Sequence, residues 1–188
     1  AVPLLIRAMS DTEPRVRQFA INACGHWKLT DTTVLTALVE RLGDLEPRNV
    51  VQASTVLAEV GEPAYPVVVA ALDVPALTQG AIMTLGRMGP KAAAAAGKLQ
   101  ELTMAKTPGT RIEAMVALTH VAPQSGATTV ALLNRLATDD SVDVRHTAVD
   151  GLVHLGLSPA VTAALDKAAQ QDLSPIVREA ASAALGKK

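Results

Sequence analysis

The sequence has almost no aromatic residues: its 188 positions hold one Phe, one Trp, one Tyr and one Cys. A core must therefore be assembled from Ala, Leu and Val, which suits helices approaching closely through small side chains. The lone Cys24 excludes an internal disulfide framework and a cysteine-based metal knuckle. Long hydrophobic runs are missing, and the best of them, Tyr65 to Leu72, is far too short to cross a bilayer. Neither sign of charge is in excess, with 17 Lys and Arg against 18 Asp and Glu, so nothing draws the chain toward nucleic acid or anionic membrane. No GxSxG, P-loop, GxGxxG or HExxH signature occurs, and targeting information is not visible, which leaves the cytoplasm as the default expectation.

What is present is a period. Pro14, Pro47, Pro75, Pro108 and Pro175 are each followed six residues later by alanine, at Ala20, Ala53, Ala81, Ala114 and Ala181. A sixth copy has Val142 in the proline slot and keeps Ala148. The alanines step by 33, 28, 33, 34 and 33 residues, and a fixed period in this range means stacked supersecondary units. With the alanine as position zero, positions +3, +4 and +7 are apolar or small in nearly every copy, one stripe of a helix. Proline at −6 suits a first helical turn, and Gly61, Gly89 and Gly156 at +8 supply the left-handed residue that ends one.

Each copy thus has a second helix of about 14 residues, judged from these start and stop signals. The preceding first helices are expected at Val2–Met9, Thr32–Leu42, Ala64–Leu72, Ala92–Ala105, Thr129–Ala137 and Pro159–Gln171. The pattern predicts an all-α fold, an α-solenoid of about six stacked αα-hairpins and no sheet. The repeats run approximately 1–29, 30–61, 62–89, 90–123, 124–157 and 158–188, as a single domain without a dividing linker. Val2, Leu4, Leu5, Ile6 and Met9 cover most of the first helix, where a solenoid end should be polar. That predicts a domain cut from a longer chain, covered by further repeats or other domains of the same parent; the alternative is a first helix simply packed on the second.

A polar pair repeats as well. Position −9 is Asp11, Asp44, Asp139 and Asp172, and position −3 is Arg17, Arg111, Arg145 and Arg178. Arginine's planar fork suits bridging the turns of the same or adjacent repeats, so these eight residues are expected to form a structural ladder. Arg135, on a first helix, is expected at the surface. A stripe of arginines for phosphate contacts should raise the net charge, and it does not.

With VR in PRVRQFA, VDVRHTA and SPIVREA, these residues resemble HEAT repeats, most closely the short bacterial type also found in phycobilin lyases. Copies two and three lack the arginine (Val50, Thr78) and copy four lacks the aspartate (Ala105). The resemblance implies a right-handed superhelix whose second helices line a concave groove, and a protein-interaction scaffold rather than an enzyme. A HEAT-repeat di-iron hydroxylase relies on His-Glu dipeptides, and this chain has none.

Positions −2, +2 and +5 lie opposite the buried stripe and mark the groove. Val51, Met83, Ile112 and Val116 are apolar there and, if they form one strip, span about 20 Å over three repeats spaced as packed helices are. Apolar residues on a wet face mark an interaction surface, so the expected partner is a protein or peptide segment contacting Val51, Thr55, Met83, Arg87, Ile112, Val116, His120, His146, Asp150 and His154. His26, His120 and His154 share position +6, with Glu59, Arg87 and Lys187 in the same slot elsewhere. His146, Asp150 and His154, at i, i+4 and i+8, could hold a divalent metal with His120 as a fourth ligand; the reading adopted is a solvated His–Asp pair of helical neighbours, with no metal and no cofactor. The alternative function is a lyase- or chaperone-like subunit acting on a bilin protein.

Overall fold

The computed structural model describes residues 2–186, which form twelve α-helices, three 3-10 segments and no strand. The helices are α1 (Val2–Met9), α2 (Pro14–His26), α3 (Thr32–Glu40), α4 (Pro47–Val60), α5 (Tyr65–Ala71) and α6 (Thr78–Met88). They continue with α7 (Ala96–Leu102), α8 (Pro108–Val121), α9 (Gly126–Thr138), α10 (Val142–Leu155), α11 (Pro159–Gln171) and α12 (Pro175–Ala184). Lys187, expected in the +6 slot of the last repeat, lies outside the described residues.

The chain divides into two compact units, residues 1–95 and 96–188, each holding three αα-hairpins. In the first, α2 packs on α4 and α4 on α6, while α1 lies beside α3 and α3 beside α5. The second unit has the same two layers, with α8, α10 and α12 in one and α7, α9 and α11 in the other. This is the α-solenoid hairpin stack that the period predicts. All six anchor alanines are buried, because a larger side chain at zero would hold the packed helices apart. Around them Ile21, Leu38, Leu57 and Leu85 fill the first unit, and Met115, Leu118, Leu132, Leu152 and Leu165 the second.

Helix ends follow local chemistry. Pro14, Pro47, Pro108 and Pro175 open their helices, and Gly61, Gly89 and Gly156 close α4, α6 and α10 at φ of 73°, 59° and 109°. The third copy differs: Val74, which has no capping side chain, precedes Pro75, and α6 starts three residues late at Thr78. In the fourth, the expected helix over Ala92–Ala105 breaks into a 3-10 stretch, Gly89–Ala95, and the shorter α7. The run Lys91–Ala96 offers no side chain that could cap an earlier start. Helix α1 is packed on α2 and α3 with Met9 fully buried, yet Leu4 is 72% exposed.

Candidate functional site

The ladder forms with a definite division of labour within each arginine. Arg17 Nη1 donates to the Asp11 and Thr12 carbonyls of its own turn at 2.9 and 3.1 Å. Its Nε and Nη2 both reach forward, 2.6 Å each, to the carboxylate of Asp44 in the next repeat. Arg145 repeats the arrangement, with Nη1 on the Asp139 and Asp140 carbonyls and a fork onto Asp172 at 2.9 and 3.0 Å. Arg111 holds the Ala105 and Lys106 carbonyls and bridges Asp139 and Asp140 through Nη2, at 2.6 and 2.7 Å. Arg178 makes only the own-turn contacts, to Asp172 and Leu173.

The aspartates have a second task. Asp11, Asp44, Asp139 and Asp172 each accept the backbone N–H two residues on, at 2.8 to 3.0 Å, fixing the turn that feeds the second helix. Burial alone would raise the Asp44 and Asp139 carboxyls, but the bonds from Arg17 and Arg111 and the turn N–H groups hold both below the usual carboxylate range. For Asp172 the Arg145 bond is the largest influence, and it too lowers the carboxyl.

Two supporting residues escape sequence reasoning. Asn49, wholly buried, donates to the Pro14 carbonyl at 3.1 Å and to Asp44 at 3.4 Å, so it braces the rung from beneath. Thr78 stands where the third copy lacks arginine, and its hydroxyl donates to the Leu72 carbonyl at 3.1 Å, the position −9 carbonyl that Arg17 and Arg145 hold elsewhere. Arg135 is a correction: it is mostly buried, and its Nη1 stands 3.3 Å from Asp139 Oδ2 because the two are one helical turn apart.

The open face of the second helices carries one cleft in each unit. In the first, Val51 of α4 and Met83 of α6 line a cleft of about 410 Å³ with Pro47, Gln79 and Leu42. Val51 is exposed, whereas Met83 is half-buried and its sulfur accepts from Arg87 at 3.9 Å. Thr55 turns its hydroxyl back to the Val51 carbonyl. In the second unit, Ile112, Val116 and His120 of α8 line a cleft of similar size with Asp150 and His154 of α10. Ile112 is half-buried against the Met115–Leu132 core, while Val116 is exposed. Position +5 leaves the face in the first and fourth copies, where a Cβ on Gly25 would meet Val56 of the next repeat at 2.8 Å and Thr119 is buried, while Val153 of the fifth copy is exposed. Periodicity within one helix cannot show where the neighbouring helix sits.

The His120 and His154 rings lie edge to face with centroids 5.7 Å apart, so equivalent slots of adjacent repeats do meet. His146 Nδ1 is 3.4 Å from Asp150, the pair of helical neighbours. Among the described residues no three His, Cys, Asp or Glu side chains converge as a metal site, and no helix is long and apolar enough to cross a membrane. Cys24 is fully buried, and burial raises its thiol, which suppresses the reactive thiolate.

Comparison with known proteins agrees with this geometry. A family model described as HEAT repeats matches residues 96–186, and one described as HEAT repeat matches residues 1–27. No curated protein matches the sequence significantly. Among solved structures, a chain from the complex of CpcE and CpcF of phycocyanin lyase from Nostoc sp. PCC7120 is similar at TM-score 0.71 and 21% identity, over 82% of this chain and 99% of that one. A computationally designed armadillo repeat protein for modular peptide recognition is similar at TM-score 0.59 and 18% identity, over 99% of both chains. At such identities the likeness is one of fold.

Proposed function

Because the chain belongs to the HEAT-repeat family, we propose that it is a non-enzymatic interaction scaffold that binds a protein segment along the open face of its second helices. The observation that carries this reading is the cleft between adjacent second helices in each unit, walled by Val51 and Met83 in one and by Ile112 and Val116 in the other. Apolar side chains left on a face rimmed by Gln79, His120 and Asp150 fit a peptide that is part apolar and part polar. Methionine at such a position adapts its shape to varied side chains. Arg17, Arg111 and Arg145 are committed to turn carbonyls and carboxylates, which argues against a phosphate-binding stripe.

The test uses a peptide selected from a displayed library on the immobilised protein. Met83→Glu places a charge that any apolar ligand must desolvate, and affinity should fall tenfold or more, about 1.4 kcal/mol per decade. Circular dichroism checks that the fold survives, since Met83 is half-buried. Undiminished binding by a folded variant would move the site to another face.

The lyase- or chaperone-like alternative draws on the fold likeness to the phycocyanin lyase chain. Under the scaffold reading, adding a bilin or haem leaves its absorption spectrum unchanged; a specific spectral shift would favour the alternative.

A further inference from the structure

We propose that the first unit's cleft takes an arginine side chain of the bound segment, at the place where the second repeat lacks its own, a reading that rests on the scaffold function above and gives one cleft its specificity. Wherever position −3 is arginine, Nη1 donates to the carbonyls at −9 and −8 of the same turn. Arg17 does so to Asp11 and Thr12, and Arg111 to Ala105 and Lys106. Arg145 serves Asp139 and Asp140, and Arg178 serves Asp172 and Leu173. In the third repeat the Thr78 hydroxyl takes over the −9 carbonyl of Leu72. In the second repeat position −3 is Val50, which has no donor to offer the carbonyls of Asp44 and Leu45.

The turn itself is built like the others. Asp44 stands at φ −62° and ψ 142°, against −72° and 139° for Asp139 and −62° and 140° for Asp172. Its Oδ1 accepts the Glu46 N–H at 2.9 Å, as theirs accept those of Ser141 and Ser174. Equal turns aim their carbonyls equally, so those of Asp44 and Leu45 face the −3 side chain, and valine is too short to fill the room an arginine takes. The cleft of about 410 Å³ lies at this place, with Asp44, Pro47 and Val50 on one side and Ala76, Gln79 and Met83 on the other.

The fifth repeat shows that such surroundings accept a further guanidinium. There the Asp139 turn holds three: Arg111 and Arg135 on its carboxylate and Arg145 on its carbonyl. The Asp44 turn has counterparts of the first two, Arg17 at 2.6 Å and Arg41 at 3.7 Å, and Val50 in the place of the third. A guanidinium on the two carbonyls keeps nitrogens to spare. Asp73 stands at −8 of the following repeat, the position from which Asp140 accepts Arg111 at 2.7 Å. A planar fork serves acceptors in these separate directions, and an ammonium does not. Val51 and Met83 are left for an apolar neighbour in the same segment.

The test pans two displayed peptide libraries on the immobilised protein, alike except that the central residue is arginine in one and leucine in the other. The arginine library should yield the tighter binders, and replacing that arginine with lysine should weaken them about tenfold or more. Val50→Arg sets a tethered guanidinium on the same carbonyls. It should weaken these peptides as much while leaving the unfolding temperature unchanged or raised. Binders that weaken with Met83→Glu but keep their affinity when every arginine is replaced would overturn the arginine pocket and leave the scaffold reading standing. Arginine-dependent binding undisturbed by Val50→Arg would also overturn it, since the guanidinium would then sit elsewhere. So would a Val50→Arg protein that no longer folds, because the place would not accept a guanidinium. No binder from either library would overturn both readings together.

Discussion

Arg145→Ala is expected to lower the unfolding temperature by about 6–12 °C, the largest effect of any single substitution outside the apolar core. The variant leaves the Asp172 carboxylate, only 7% exposed, with the Ser174 N–H as its remaining bond, and releases the Asp139 and Asp140 carbonyls. Removing one member of a buried pair costs about 3 kcal/mol, and for a chain of this length each kcal/mol is worth about 2–4 °C. Arg145→Lys should recover little, because an ammonium cannot serve the carbonyls and the two carboxylate oxygens at once. Arg135→Ala should cost less: Asp139 loses one long contact but keeps Arg111 and the Ser141 N–H. Equal thermal melts for the alanine variants at 135 and 145 would remove the ladder from the account.

The same rungs set the response to acid. Asp44, Asp139 and Asp172 lie below the ordinary aspartate value when folded, so their stabilisation is present in full above the unfolded pKa of about 3.9. It is lost as pH falls through the lower folded values. The wild type should lose stability steeply below about pH 4, and Arg145→Ala should flatten part of that slope.

Gly80→Ala comes next in expected effect, and it acts through shape alone. A Cβ at this position would lie 2.5 Å from the Leu42 carbonyl oxygen and 3.0 Å from its Cα, so the obstacle is backbone and cannot rotate away. Alanine gains about 1 kcal/mol over glycine inside a helix. Forcing the first unit's helices apart costs more, so a net loss of about 2 kcal/mol is expected. Gly151→Ala is the informative comparison. Its added Cβ would meet Leu132 Cδ2 at 2.5 Å, the far end of a flexible side chain that can shift, and the penalty should be smaller. A Gly80→Ala variant as stable as wild type in thermal denaturation would show that the packing of α6 on the preceding hairpin is looser than described.

These two substitutions also show how far the sequence could be read. The proline–alanine period specified the hairpins and placed α1 and α11 to the residue, because start and stop chemistry is local. The aspartate–arginine spacing indicated a ladder, and the structure supplies its direction: the carboxylate belongs to the following repeat and the carbonyls to the same one. Asn49, Thr78 and Gly80 were not legible, since each matters only through a neighbour more than one turn or one repeat away. Met83 and Ile112 were legible as apolar residues on the right face. Their half-burial depends on the spacing of adjacent helices, which no single-helix pattern contains.

The central claim is that ligands are read by the second helices, and hydrogen–deuterium exchange of the protein with its selected peptide tests it most directly. Binding should slow exchange in 47–60 with 78–88, in 108–121 with 142–155, or in both pairs, while α3, α5, α9 and α11 stay unchanged. Protection confined to those first helices, or complex formation without slowed exchange in any second helix, would contradict it.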